Sequence, residues 1–327
     1  MTVLCFAALG VFGCAGAQLN KISSSDELTK ELPAEFQKKF EVQDATMAGA
    51  QPTTAVVPVK AKKRRRRNEP PPFSFPNRRP KSEPFWLGEK QVYDITYFGV
   101  AAGEFSLEVL PRKVMNDREV YHIKGFATSS SIFSLFYRLN DMVETFIDFD
   151  GIFSHRFHIV LDETVQTRDS LELFDSQKKQ TFYWNRWNHK DRGYTDTKEY
   201  APIESFSQDT LSSLYYLRTV PLPQDAVISV PVVSEAKPFE AIMTVIRREM
   251  MDTPMGRVST VVIKPEMKFQ GILKKQGDSF IWLTDDDRRF VVRIEAKVKV
   301  GTVVAALKRY DPGTPPVPPG PLGPLGP

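Results

Sequence analysis

From residue 85 to residue 310 the chain alternates apolar and polar side chains over short runs. Val292, Ile294, Ala296, Val298 and Val300 are interleaved with Arg293, Glu295, Lys297 and Lys299. Phe105, Leu107 and Val109 alternate with Glu104, Ser106 and Glu108, and Tyr93, Ile95 and Tyr97 repeat the pattern. Successive side chains of a strand point to opposite faces, so a period of two predicts half-buried antiparallel strands. Strands are expected near 90–99, 103–111, 118–128, 140–149, 153–162, 165–174, 178–185, 226–233, 238–248, 257–268, 278–284 and 289–309, the last turning at Gly301. Turn-forming pairs such as Asn116-Asp117 separate them. Two helical pieces interrupt, Ser131 to Leu139 and Gln208 to Thr219. In the second, Leu211, Leu214, Tyr215 and Arg218 share one face and Pro221 ends the run. So many strands with a single apolar face must curl or close to bury it. The expected fold is mainly β: a large, strongly curved antiparallel sheet or open β-barrel with one or two short helices against it, and disordered tails. A two-sheet sandwich is the alternative.

Outside this domain the patterning is different. Val3 to Ala17 is apolar and uncharged. It is shorter than the ~20 residues of a spanning helix and matches the hydrophobic region of a signal peptide. The two cysteines of the chain, Cys5 and Cys14, both lie in it, so the rest of the chain has neither a disulfide nor a thiol nucleophile. Val11 to Cys14 resembles a bacterial lipoprotein box with lipidation at Cys14, although Phe12 departs from the usual small residue. Ordinary cleavage after Ala15 or Ala17 is the competing reading. Residues 1–17 are therefore read as a signal peptide and the protein as exported, to the periplasm or anchored in the bacterial cell envelope.

Residues 18–84 read as a flexible tether. Ser24 and Glu27 have capping-box spacing, and Leu28, Leu32, Phe36 and Phe40 fall at helical intervals, with Pro33 expected to interrupt or kink the helix. Then comes a basic arm, Lys60, Lys62, Lys63, Arg64, Arg65, Arg66 and Arg67. Residues 50–81 carry ten Lys or Arg and one acid, a net +9 against +4 for the whole chain. Such a segment is expected to stay extended and solvated. In the cytosol it would suggest nuclear import or nucleic acid. Behind an export signal its expected partners are anionic membrane or envelope polymers, and no nucleic acid is expected. Residues 311–327 form a proline-rich tail, with eight prolines between Pro312 and Pro327.

Several stretches of 85–310 together resemble the uncharacterised bacterial family called domain of unknown function 3108. Phe85 to Glu89 and Tyr93 to Glu104 are similar to its first hairpin. Asp209 to Arg218 with Pro221-Leu222 resembles its central helix. Ile281 to Asp286 with Arg288, and Val300-Gly301, resemble its C-terminal strands. The resemblance implies an exported β-rich envelope protein with no assigned activity.

Chemistry is sparse in the sequence. No nucleophile elbow, dinucleotide fingerprint, phosphate loop or zinc-protease motif occurs. His155 and His158 are three apart on an expected strand, which would place them on opposite faces. No metal, cofactor or catalytic residue is expected, and the protein is read as a non-enzyme. Asp285 to Asp287 reads as a charged turn rather than a calcium loop. Trp184 and Trp187, in a polar turn with His189, suggest a surface loop or a glycan-stacking platform. The aromatic residues Phe133, Phe136, Tyr137, Tyr215, Tyr216 and Trp282 are either core or the wall of an apolar cavity for a lipid or lipoprotein segment. Three functions follow: an envelope protein binding an amphipathic ligand in a curved sheet, a scaffold whose basic arm contacts anionic polymers, and, third, an envelope glycan hydrolase.

Overall fold

The computed structural model describes residues 31–45, 73–269, 272–274, 278–298 and 300–316. Cys14, the basic arm from Lys60 to Arg67, the apolar run before Ala17, and Ser24, Glu27 and Leu28 lie outside the described residues. The ordered elements are β1 (Gln43–Asp44), β2 (Lys90–Tyr97), β3 (Val100–Met115), β4 (Arg118–Ser129), β5 (Asn140–Asp148), β6 (Ser154–Asp162), β7 (Gln166–Asp175), β8 (Gln180–His189) and β9 (Gly193–Pro202). They continue as β10 (Val227–Ser234), β11 (Lys237–Thr253), β12 (Gly256–Phe269), β13 (Ile272–Lys274), β14 (Ser279–Thr284), β15 (Val291–Lys297) and β16 (Thr302–Asp311). Helix α1 is Ala34–Lys39 and α2 is Thr210–Leu217, with a single 3-10 turn at Phe133–Leu135.

All sixteen strands join one antiparallel sheet, which excludes the sandwich. Its order runs β10-β11-β12-β14-β15-β16-β2-β3-β4-β5-β6-β7-β8-β9, with β1 on β3 and β13 on β12. The sheet does not close on itself, but it curls until its β10 edge meets the far side. There the segment after β9 acts as a splint. Ser154 N of β6 donates to Ser207 O (3.2 Å), Gln208 N donates to Pro231 O of β10 (2.9 Å), and Val233 N donates to Gln208 O (2.9 Å). Edge amides that would otherwise be orphaned are thus satisfied. Further along, the Glu172 carboxylate of β7 accepts the backbone N–H groups of Glu235 and Ala236 in the β10–β11 turn.

Two cores result. Inside the curl, Tyr93, Ile95, Leu107, Tyr121, Ile123, Val143 and Phe157 meet Val230, Val245, Ile263, Ile281 and Ile294 around α2. On the outer face of β3–β8 lies a second core of Leu32, Phe36, Phe40, Met115, Val120, Phe146, Leu171, Leu173, Phe182 and Trp184. Here the sequence expectations need correction. Of the expected helix, the part before residue 31 lies outside the described residues; α1 starts immediately after Pro33, where its missing N–H is no loss. Residues 31–45 are docked, with the Phe36 ring stacked 5.2 Å from Phe182. Phe73 and Phe75 likewise pack on Phe153 and Phe206, so the two described stretches of the expected tether, 31–45 and 73–84, are built into the domain. Residue 311 belongs to β16, and Thr314 bridges Leu87, so the tail begins later than expected. The stretch 131–139 holds only the 3-10 turn. Strand β9 was not expected at all. It is exposed along nearly its whole length, and without a buried face it has no apolar alternation. Trp184 is not an exposed platform: it is fully buried, and its indole N–H donates to Asp196 (2.7 Å).

Candidate ligand-binding cavity

The strand directions define two ends of the curl. At one lie the starts of β2, β6 and β15; at the other lie the β2–β3, β4–β5, β14-side and β15–β16 connections. Helix α2 lies across the first end as a floor. Its start is fixed by Asp209, whose Oδ1 accepts the N–H of Leu211 and Ser212 (2.7 Å each) while Ser212 Oγ accepts the Asp209 N–H (2.9 Å). This reciprocal capping box satisfies the helix's first amides. Asp209 Oδ2 accepts hydroxyl protons from Thr145 and Ser154 (2.6 Å each), tying the helix to β5 and β6. Burial pushes the Asp209 carboxyl above its ordinary range, against the pull of these hydrogen bonds.

The other end of α2 is fixed by Arg218. Its guanidinium forms a two-pronged pair with Glu89 at 2.7 and 3.0 Å and donates to Arg288 O, with both charged side chains only 1% exposed. Arg288 reaches the same carboxylate at 2.6 Å, and the rings of Phe85, Tyr215 and Phe290 surround the Arg218 guanidinium. Glu89, Arg218 and Arg288 come from the three separate stretches that carried the family resemblance, and the fold brings them to one point. Asp286 accepts from the N–H groups of Arg288 and Arg289, so the charged turn of Asp285 to Asp287 serves to present Arg288.

Above the floor is an apolar cavity of about 120 Å³. Leu211, Leu214, Thr210 and Ser213 of α2 form its base, and Tyr93, Phe105, Leu107, Ala241, Met243, Ile281, Ile294, Ala296 and Ala305 form its sheet wall. A volume of this size exceeds what one water needs, and its apolar wall offers water few partners. Phe105, Phe239 and Met267, which line the cavity towards the second end, are only half-buried, so the wall is least covered there. The space exists because Ala241, Ala296 and Ala305 stand at inward positions where neighbouring strands carry Met, Val or Ile. Glu266 is the one charged side chain in the wall.

None of the six aromatic candidates is part of this wall. Tyr215 is buried beneath the floor, edge-on to Phe85 at 5.1 Å. Tyr216 and Phe133 are half-buried against the inner core. Tyr137 donates its hydroxyl proton to Glu163, and Phe136 is exposed. Trp282 is on the outer face, opposite to its inward neighbour Ile281, where its N–H donates to Glu249 (2.6 Å) and Arg293 covers its ring. The true wall residues looked in sequence like ordinary strand core. Their available signal was the row of small alanines at inward positions.

His122, His155 and His158 are on the outer face. His155 and His158 share that face after all, because a bulge in β6 opposite Phe146 and Ile147 resets the alternation. Each has its own carboxylate, His155 with Asp148 (3.0 Å) and His158 with Asp169 (2.8 Å). Asp169 also pairs with Arg186 at 2.9 Å. His122 pairs with Glu144 at 2.7 Å. Burial by itself would raise the Glu144 carboxyl, but the His122 hydrogen bond and the charges of His122, Lys124 and His158 outweigh it and lower the carboxyl to about 2. Among the described residues no group of three or more His, Cys, Asp or Glu side chains is arranged to hold a metal ion.

Residues 92–308 match the model of a family described as "Protein of unknown function (DUF3108)". No curated protein matches the chain. Among solved structures, the chain is similar to a beta-barrel-like protein of domain of unknown function DUF1849 from Brucella abortus, with a TM-score of 0.46 and 12% identity over 70% of this chain and 99% of that one. It is also similar to an inferred exported protein with a YmcC-like fold from Bacteroides fragilis (TM-score 0.32, 10% identity, 70% and 98% covered). An inferred lipoprotein from Parabacteroides distasonis matches with a TM-score of 0.31 and 9% identity over 73% of this chain and 100% of that one.

Proposed function

The chain belongs to this family of proteins of unknown function, and on that footing we propose that it is an exported, non-enzymatic envelope protein that holds an apolar chain of a lipid or lipidated ligand in the cavity above α2. The observation that carries the reading is the cavity itself. It is bounded by a floor locked at both ends, walled mainly by apolar side chains and least covered where Phe105, Phe239 and Met267 are half-buried. A solid spacer would have no reason to keep alanine at Ala241, Ala296 and Ala305, since unfilled apolar volume costs stability. Export is supported by the uncharged apolar run from Val3 to Ala17, with Cys14 as the lipidation point. The basic arm from Lys60 to Arg67 would then hold the tether near anionic envelope surfaces, at ~1 kcal/mol per charge.

The test is native mass spectrometry of the full chain purified gently from a bacterial envelope. A stoichiometric adduct of lipid mass is expected. In the Ala305→Phe variant, which fills the wall, the adduct is expected to disappear while the fold survives, as circular dichroism would show. A clean apo mass for the unsubstituted chain, or an adduct indifferent to Ala305→Phe, overturns the cavity reading in favour of a scaffold.

A further inference from the structure

The open end of the curl has an unusual surface. Phe98 and Val100 flank the β2–β3 turn, Ile132, Leu135 and Phe136 lie on the β4–β5 connection, and Val300 sits in the β15–β16 turn. Each is 62–80% exposed. These three connections are laced together. The Phe98 ring lies against Gly301, Tyr97 Oη donates to Val300 O (2.7 Å), and Ser130 donates through its N–H to Ala102 O and through its hydroxyl to Ala101 O. Phe98 keeps a left-handed backbone, φ +50°, to hold a solvent-exposed phenyl. For a non-glycine residue that conformation is strained, and burial within the chain gives nothing back. Other exposed large apolar residues, such as Leu87, Val227 and Met250, stand on separate elements.

Charge points to what covers this surface. The stretches 97–101, 130–139 and 297–302 contain no Asp or Glu, and they contain Arg138, Lys297 and Lys299; of these, Arg138 is already paired with Asp162 at the end of β6 (2.8 Å). Lys297 is exposed, and Lys299 precedes Val300 in the chain. Apolar tips whose own turns carry lysines and no acid match the two layers of an anionic bilayer surface, with headgroups outside and acyl chains beneath. A second copy of the same surface would instead bring like charges together.

We propose that these tips insert into the surface of an anionic lipid bilayer, setting the cavity mouth against the acyl layer so that an apolar chain passes between bilayer and cavity without crossing water. The inference rests on the cavity reading for its purpose, but its geometry is tested separately. The full chain is prepared with Cys5→Ser and Cys14→Ser. An environment-sensitive fluorophore is attached at Leu135→Cys or, as a control, at Gln177→Cys in the exposed β7–β8 turn at the opposite end.

With vesicles of phosphatidylcholine containing a minority of phosphatidylglycerol, the label at 135 is expected to shift to the blue and the label at 177 to stay unchanged. Adding Phe98→Ser and Phe136→Ser is expected to lower the partitioning read at 135 roughly tenfold or more. No blue shift at 135, even where the chain sediments with vesicles through its basic arm, overturns the proposal. So does a blue shift without vesicles that grows with protein concentration, which would identify a second copy as the occupant. Failure of the cavity reading would show instead as a missing lipid adduct, whatever the label at 135 does.

Discussion

The two ends of the curled sheet solve opposite problems. At the floor, charge is taken into the interior and paired: Glu89 with Arg218 and Arg288, Asp209 with Thr145, Ser154 and the α2 amides, Asp148 with Arg118 and His155. At the open end large apolar groups stay in water, and the turns that carry them are tied to one another instead of being covered. Buried ion pairs add little net stability over an apolar replacement, but they fix geometry, because a misplaced charge in a low dielectric is heavily penalised. The floor therefore behaves as a rigid reference, and the open end as the side that meets something else.

The comparison can be broken most forcefully at Arg218. Arg218→Leu strands the buried Glu89 carboxylate beside Arg288 alone and is expected to cost about 3–5 kcal/mol. Urea unfolding would measure it, and a loss below ~1 kcal/mol would refute the role of the floor as an anchor. Glu172 gives the next effect. Burial raises its carboxyl to about 7 even though backbone amides and Thr181 stabilise its charge. Between its ordinary value of 4.5 and about 7 the folded state keeps a proton that the unfolded chain has released, so stability falls as pH rises through that window. The loss is on the order of 3 kcal/mol. Denaturation midpoints at several pH values should show this slope, and Glu172→Gln should flatten it. Glu144 works in the other direction: its lowered carboxyl adds stability above 4.5 that is lost as pH falls towards about 2.

Smaller effects are expected at the open end. Gly301 has φ +83°, and an added Cβ would come within 2.6 Å of the Phe98 ring. Gly301→Ala should cost roughly 1–2 kcal/mol and release the Phe98 tip, visible as a change in the resonances of Phe98 and Tyr97. Least of all, Leu135→Ser and Phe136→Ser should change stability by no more than about 0.5 kcal/mol. A larger loss in thermal unfolding would mean that these tips belong to the fold rather than to an outside surface.

Much of this architecture was legible along the chain. The period of two located the longer strands of the curled sheet except β9, which has no buried face to reveal it; the two short strands β1 and β13 were not foreseen either. The face shared by Leu211, Leu214, Tyr215 and Arg218 located α2, whose start only the structure fixes, at the Asp209 cap. Less of the site was legible. The aromatic residues expected to mark a ligand wall lie elsewhere, Trp282 turned outward and Tyr215 beneath the floor; aliphatic residues, alanines and the strand residues Tyr93, Phe105 and Phe239 line the space. A bulge at His155 also reversed a face assignment that simple alternation had made.

The sequence by itself determined the alternation of faces, the positions of the turns and the concentration of charge in one arm, because these depend only on neighbours within a few residues. Tertiary structure alone decided which faces met. It brought Glu89, Arg218 and Arg288 together from 129 and 199 residues apart along the chain. It left a void where three alanines face one helix, and it gathered the apolar tips of three distant turns at its mouth. Those outcomes follow from the curvature and register of the whole sheet, to which every strand contributes and which no local stretch encodes.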